Sequence, residues 1–232
     1  MQGLCLESIK MPVEVDQLIR SKRRTLALFI ESDGSLIVRA PLRASGKLIR
    51  EFVDSHTLWI EKKQAQARAV VAPLAKQYIP GESFPYLGES FILEVVKDQK
   101  KALLLDGNFK LAERARGDAQ KVFEGWYRAQ ARQVIKERIE LLSTRYNFHY
   151  EKVRISSART RWGSCSPTGT LSFSWRLILN PIEVVDYVVI HELVHTVVHN
   201  HSKRFWKSVE KILPNYKEFN QWLNKNGRDV ML

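Results

Sequence analysis

The chain is poor in cysteine and has no long apolar run. Its 232 residues include two cysteines, Cys5 and Cys165, and no CxxC pair. Two thiols form at most one bridge, so a disulfide scaffold is excluded and a reducing cytoplasm is the expected compartment. No apolar stretch approaches the ~20 residues of a membrane helix, so no membrane partner is expected. The segment Met1–Glu7 lacks a basic stretch followed by an apolar core, and no secretory leader is expected from it. Internal repeats and low-complexity tracts are missing too. What remains is an ordinary folded composition, 44% apolar, long enough for one large domain or two small ones.

Charge is the first positive feature. The formal net charge is +12, and it is uneven: 19 basic and 15 acidic residues fall in 1–118, against 18 and 10 in 119–232. A basic surface attracts polyanions, of which nucleic acid is the usual one. No nucleic-acid recognition motif accompanies the charge, so solubility alone also accounts for it.

Periodicity gives an α+β reading with a division after Asp118. Region 1–118 reads as β-hairpins with a helix. Thr25–Ile30 and Leu36–Arg39 flank the turn Ser32-Asp33-Gly34-Ser35, and Ser45 caps a helix running to about Gln66. Pro73, Pro80 and Gly81 interrupt the chain, and two more hairpins follow, 84–96 across Gly88-Glu89-Ser90 and 103–112 across Asp106-Gly107-Asn108. Region 119–232 opens with a long amphipathic helix, about Ala119–Tyr146. Two extended segments, Val153–Arg159 and Thr170–Leu177, enclose a turn-rich stretch and predict a small antiparallel sheet. A helix capped by Asn180, with Pro181 in its first turn, runs to about Asn200. Ser202 caps the next helix, which Pro214 ends, and a last helix around Tyr216–Lys225 stops before Gly227.

The chemistry is concentrated at His191-Glu192-Leu193-Val194-His195. Histidines four apart share one helix face, ~5–6 Å apart at Cβ, within reach of one metal ion. This is the H-E-x-x-H arrangement of zinc hydrolases, with the glutamate addressing an activated water. The flanking helix is apolar almost all round, so two histidines and a carboxylate inside it need a partner, and zinc supplies one. Four of the six histidines, His191, His195, His199 and His201, lie within eleven residues. His201 lies beyond the expected helix end and is the favoured third ligand. His199 would stay on the same face, and Glu210 and His149 are more distant candidates. Three protein ligands leave a position for water, and Glu192 is the expected catalytic base. Trp162, Arg176 and Tyr216 are candidate substrate-binding residues. Arg161, Arg176 and Tyr216 are candidates to stabilise charge developing on a scissile carbonyl. Cys165 near the metal would close the site if it ligated. An amidase acting on non-peptide bonds, and a nucleic-acid-binding protein with a structural zinc, are the competing readings.

Several motifs together carry a resemblance. Arg161–Ser166, Leu179-Asn180-Pro181, Tyr187–His195, Asn200-His201-Ser202, Phe205-Trp206 and Pro214-Asn215-Tyr216 resemble the YgjP-like metallopeptidase family. Arg23-Arg24-Thr25, Asp33-Gly34, Arg39–Leu42, Trp59-Ile60 and Tyr86-Leu87-Gly88 follow the same order in the first half. The resemblance implies a zincin-like metallopeptidase part over 119–232, a peptide or protein substrate, and zinc on His191, His195 and His201, with Glu192 as general base. Thr196, where that family often carries leucine, is expected to change packing and not chemistry. The family is more distantly similar to SprT/Spartan-like proteases, which act on proteins bound or crosslinked to DNA. In zincins a strand beside the active-site helix pairs with extended substrate, and Thr170–Leu177 is the expected strand, with Trp162–Ser166 near the cleft.

Overall fold

A computed structural model of the chain describes residues 13–31, 33–69 and 76–226. Met1–Glu7 with Cys5, Ser32, Pro73 and Gly227, all used above, lie outside the described residues. The architecture is mixed α+β, with six α-helices and three small mixed sheets among the described residues. It divides into two compact units, Met1–Pro73 and Leu74–Leu232.

In the first unit, β1 (Gln17–Ser21), β2 (Ala27–Ile30) and β3 (Leu36–Pro41) form a sheet in the order β1-β3-β2. The β2–β3 hairpin is as expected, but β1 adds parallel to β3. Leu36, Val38 and Ala40 alternate onto one face and pack with Ile49, Val53 and Ile60 of the helices. The single expected helix is two, α1 (Gly46–Asp54) and α2 (Thr57–Ala69). Ser45 Oγ accepts the Leu48 N–H at 3.2 Å and starts α1. Ser55 Oγ donates to the Phe52 carbonyl at 2.9 Å, the kind of local bond by which serine competes with helix continuation.

In the second unit, β4 (Ser83–Tyr86), β5 (Glu89–Val96), β6 (Leu103–Asp106) and β7 (Asn108–Ala112) make a sheet in the order β4-β5-β7-β6. Both hairpins form, and β5 and β7 join them in parallel. Phe84 and Phe109 of this sheet meet Phe123 of the 28-residue helix α3 (Ala119–Tyr146), with the Phe84 and Phe123 rings 4.3 Å apart. Residues 84–112 therefore share one buried core with the elements that follow. Along α3, Phe123, Tyr127, Ala131, Ile135 and Ile139 recur every fourth residue and are fully buried.

The remaining sheet holds β8 (Lys152–Ser156), β9 (Gly163–Cys165) and β10 (Thr170–Ser174) in the order β8-β10-β9. It is mixed, not antiparallel: β9 runs antiparallel to β10, but β8 runs parallel to it. The loop 157–162 crosses the end of β10, so β8 lands on its far side in the same direction. β10 continues into a 3-10 turn, Trp175–Leu179, and then α4 (Ile182–His195). Asn180 does not cap α4; its Nδ2 donates back to the Leu177 carbonyl at 2.9 Å and closes the 3-10 turn. Gly88 lies against this entry: a Cβ there would stand 2.9 Å from Pro181 Cα. Arg138 on α3 holds Asp186 on α4 through two bonds of 2.6 Å. α5 (Lys203–Ile212) and α6 (Tyr216–Asn226) complete the unit.

Candidate metal centre

α4 carries His191 and His195 one turn apart, and it ends at His195, short of the expected Asn200. The amides of Thr196, Val197 and Val198 bond back to Leu193 and Val194, which turns the chain sharply after the last helical residue. His201 thereby returns over α4. The three Nε2 atoms form a small triangle: His191 to His195 3.2 Å, His195 to His201 3.1 Å, and His191 to His201 3.0 Å.

The donor set suits a metal ion. Nitrogens about 2.0–2.1 Å from one tetrahedral ion stand roughly 3.3–3.4 Å from each other, close to the spacing found. His195 Nδ1 lies 3.0 Å from the Val198 carbonyl. A carbonyl only accepts, so Nδ1 carries the proton and Nε2 turns its lone pair to the centre of the triangle. Burial, and then His195 and His201, push the His191 pKa down to about 3. Burial is also the largest cause of a lowered His195 pKa. Neutral imidazole is the ligating form. With all three Nε2 atoms unprotonated, three lone pairs aimed at one point would repel one another unless a cation sat between them. Phe205 supports the rings, its centroid 4.8, 4.4 and 4.9 Å from His191, His195 and His201.

Glu192 lies beside this triangle and is only 5% exposed. Burial pushes its carboxyl up to about 7, while Arg161 draws it the other way. The backbone of β9 presses on it: a Cβ at Gly163 would lie 2.6 Å from Glu192 Oε1 and 2.7 Å from Cγ. The pocket around the triangle is lined by Gly163, Ser164, Cys165 and Pro167, together with His191, Glu192, His195, His199 and His201.

The structure gathers His191, His195, His201 and Glu192 into one place. His199 lines the pocket but stands outside the group of three that could hold an ion, as do His149, Glu210 and Cys165. The Cys165 thiol is raised by burial first and by Glu192 second, which keeps it protonated. Trp162, Arg176 and Tyr216 do not line the pocket. Trp162 is half-buried on the core, and its carbonyl accepts the Ser174 N–H at 2.8 Å. Tyr216 stacks on Trp206, which stacks on His201. Arg176 is buried in the 3-10 turn after β10.

The strand beside the site also differs from expectation. β10 is paired on both sides, so it cannot accept a further strand, and the sheet edge next to Glu192 belongs to β9. Three residues are too few to show alternation, which is why the stretch reads as a turn in sequence. The available signal is the glycine inside Trp162-Gly163-Ser164, since glycine within an extended run marks close approach of another group.

The pattern of the YgjP-like, metallopeptidase domain matches residues 24–226 of the chain. No curated protein matches it. Among solved structures it is similar to the metallopeptidase zymogen abylysin of Pyrococcus abyssi, at 26% identity over 39% of this chain and 93% of that one, with a TM-score of 0.36.

Proposed function

Because the chain belongs to the YgjP-like metallopeptidase family, we propose that it is a zinc peptidase in which His191, His195 and His201 hold the ion and Glu192 is the general base. It is a hydrolase of the metallopeptidase class, and a peptidase acts on peptide or protein substrates. One observation carries the finer reading: a buried carboxylate lies beside three imidazole nitrogens 3.0–3.2 Å apart. Three nitrogen ligands with an open position suit zinc. Bound zinc supplies a Lewis acid that acidifies water and polarises a carbonyl.

The chain's own groups do the rest. Glu192 is a buried carboxyl, pushed up to about 7 by burial in the metal-free site, and it lies where it can accept the proton of the attacking water and deliver it to the leaving amine. Arg161 favours the ionised form that begins the cycle. β9, unpaired on its outer side among the described residues, offers that edge to an extended peptide, which joins by backbone hydrogen bonds and needs few side-chain contacts. We assign the catalytic machinery to residues 119–232, which contain every one of these groups. No helix among the described residues is long and apolar enough to cross a membrane.

Nucleic acid is the second reading, favoured by one surface. Lys203, Arg204, Lys207 and Lys211 line a shallow depression on α5, directly after His201. The decisive experiment digests an unfolded protein with zinc-loaded protein, with and without single-stranded DNA. Cleavage by wild type and none by Glu192→Gln, with zinc still bound, is the expected result. Turnover retained in Glu192→Gln would overturn the role of Glu192. Stimulation by DNA would support the nucleic-acid reading.

A further inference from the structure

We propose that Arg176, with Arg128 and Arg159 beside it, forms a pocket for a carboxylate on the leaving side of the cleaved peptide bond. The inference rests on the peptidase reading and names a substrate preference for it.

Arg176 is in an unusual position for a guanidinium. It is 6% exposed, and its buried Nε has no hydrogen-bond acceptor among the described residues. Its guanidinium carbon lies 4.2 Å from the Trp175 ring centroid, and NH1 donates to the Ser157 carbonyl at 3.2 Å. Burial lowers its pKa, as do the neighbouring charges of Arg159 and Arg128, while Glu124 raises it. Arg128 NH1 lies 3.4 Å from Glu124 Oε1 and also reaches Ser157 Oγ. Arg128 and Arg176 thus meet at Ser157, where Arg128 alone pairs with Glu124, and Arg176 is left without a carboxylate partner of its own among the described residues. A buried cation with an idle donor and two like charges near it is costly unless an anion joins it. Arg159 and Ser157 are exposed, which leaves the cluster open to solvent.

Position selects the anion. Gly163, which touches Glu192, pairs with Phe173 of β10. Arg176 is three residues beyond Phe173, so its Cα is at most about 11 Å further along. The loop between is fixed: Ser174 N–H donates to the Trp162 carbonyl at 2.8 Å, and Ser174 Oγ to the Ala158 carbonyl at 2.7 Å. A peptide added antiparallel to β9, the more stable pairing, runs from the Cys165 end to the Gly163 end. Its C-terminal side therefore leaves Glu192 toward the end of the sheet where the 157–162 loop with Arg159 crosses and where β10 runs on to Arg176, one strand in from that edge. The carboxylate is either an Asp or Glu side chain within the first few leaving-side residues or the terminal carboxylate of a short product. Planar guanidinium groups bind either one with paired donors.

Three peptides identical through the cleaved bond test this. One carries Gln on the leaving side with an amidated end, one carries Glu with an amidated end, and one carries Gln with a free C-terminal carboxylate. Binding is measured by fluorescence anisotropy to zinc-loaded Glu192→Gln protein. At least one carboxylate peptide is expected to bind about tenfold tighter than the amide, as a charged hydrogen bond supplies. The Glu and free-acid arms say which source is used. Arg176→Gln and Arg159→Gln should each bring that ratio toward one. Arg159 is exposed, so its variant reports even if Arg176→Gln does not fold. Equal binding of all three peptides overturns the inference, and so does a ratio unchanged in Arg159→Gln. Loss of the carboxylate advantage together with displacement by single-stranded DNA also overturns it, in favour of phosphate. The peptidase reading fails separately, if zinc-loaded wild type leaves all three peptides intact.

Discussion

Substituting Gly163 by alanine should damage catalysis while leaving the metal ligands in place. Gly163 is not in the left-handed region of backbone conformation, so alanine adopts its φ and ψ without strain. The conflict is purely steric. The new Cβ would lie 2.6 Å from Glu192 Oε1, 2.7 Å from Cγ and 3.0 Å from Cδ, when ordinary contact begins near 3.4 Å. One side must give by about 0.8 Å. β9 is held by its pairing to β10, and Glu192 is one end of a single flexible side chain, so the carboxylate moves. A displacement of about 1 Å at a reacting group costs on the order of 100-fold in rate. The overpacking itself costs about 1–3 kcal/mol of stability. The assay is kcat/KM on an unfolded protein substrate, with zinc content and thermal midpoint measured on the same preparation. Activity should fall by about two orders of magnitude with one zinc retained per chain. Gly125→Ala is the control, because a Cβ at that exposed position of α3 meets nothing within 4 Å. It should raise stability by about 0.5–1 kcal/mol and leave activity alone. Full activity in Gly163→Ala would show that the β9 backbone does not set the position of Glu192.

Other consequences are equally direct. In chelated protein Glu192 has a pKa of about 7 folded against 4.5 unfolded, so the folded state holds the proton more tightly. That contribution is fully present below pH 4.5 and is lost as pH rises through 7, up to about 3 kcal/mol. Metal-free Glu192→Gln should therefore gain on wild type in urea unfolding between pH 5 and pH 8, and a pH-independent difference would refute the buried carboxylate. His201→Ala should lose the zinc that His199→Ala retains, measured by competition with a chromophoric chelator; equal retention would move the third ligand elsewhere. Asp186→Asn breaks the paired bonds to Arg138 across α3 and α4, both partners being about a quarter exposed, and should cost about 1.5–3 kcal/mol in denaturant. A smaller loss would mean that apolar packing alone sets the helix crossing.

What sequence could show follows the range of each signal. The histidine spacing on α4 is local, so the approach of His191 and His195 was legible from two residues four apart. The apolar face of α3 was legible for the same reason, since its period repeats through five buried residues. Hairpins were legible where a turn marked them, as at Gly88 and Gly107. The parallel pairings of β1 with β3, β5 with β7 and β8 with β10 were not, because each joins segments separated by other elements and no turn residue records the join. The same limit hid the geometry that matters most for chemistry. Gly163 and Glu192 are 29 positions apart, and β9 is too short for alternation to show. A three-residue strand that owes its place to one missing Cβ is specified by what lies against it in space. That is also why β10, with the stronger strand pattern, looked like the substrate strand: alternation reports which face is buried, whereas the edges are taken by β8 and β9, and no side-chain pattern records that. Strong strand character and availability to a peptide are opposed in a sheet this small. A peptide-binding edge is best sought in the weakest strand next to the buried carboxylate of Glu192.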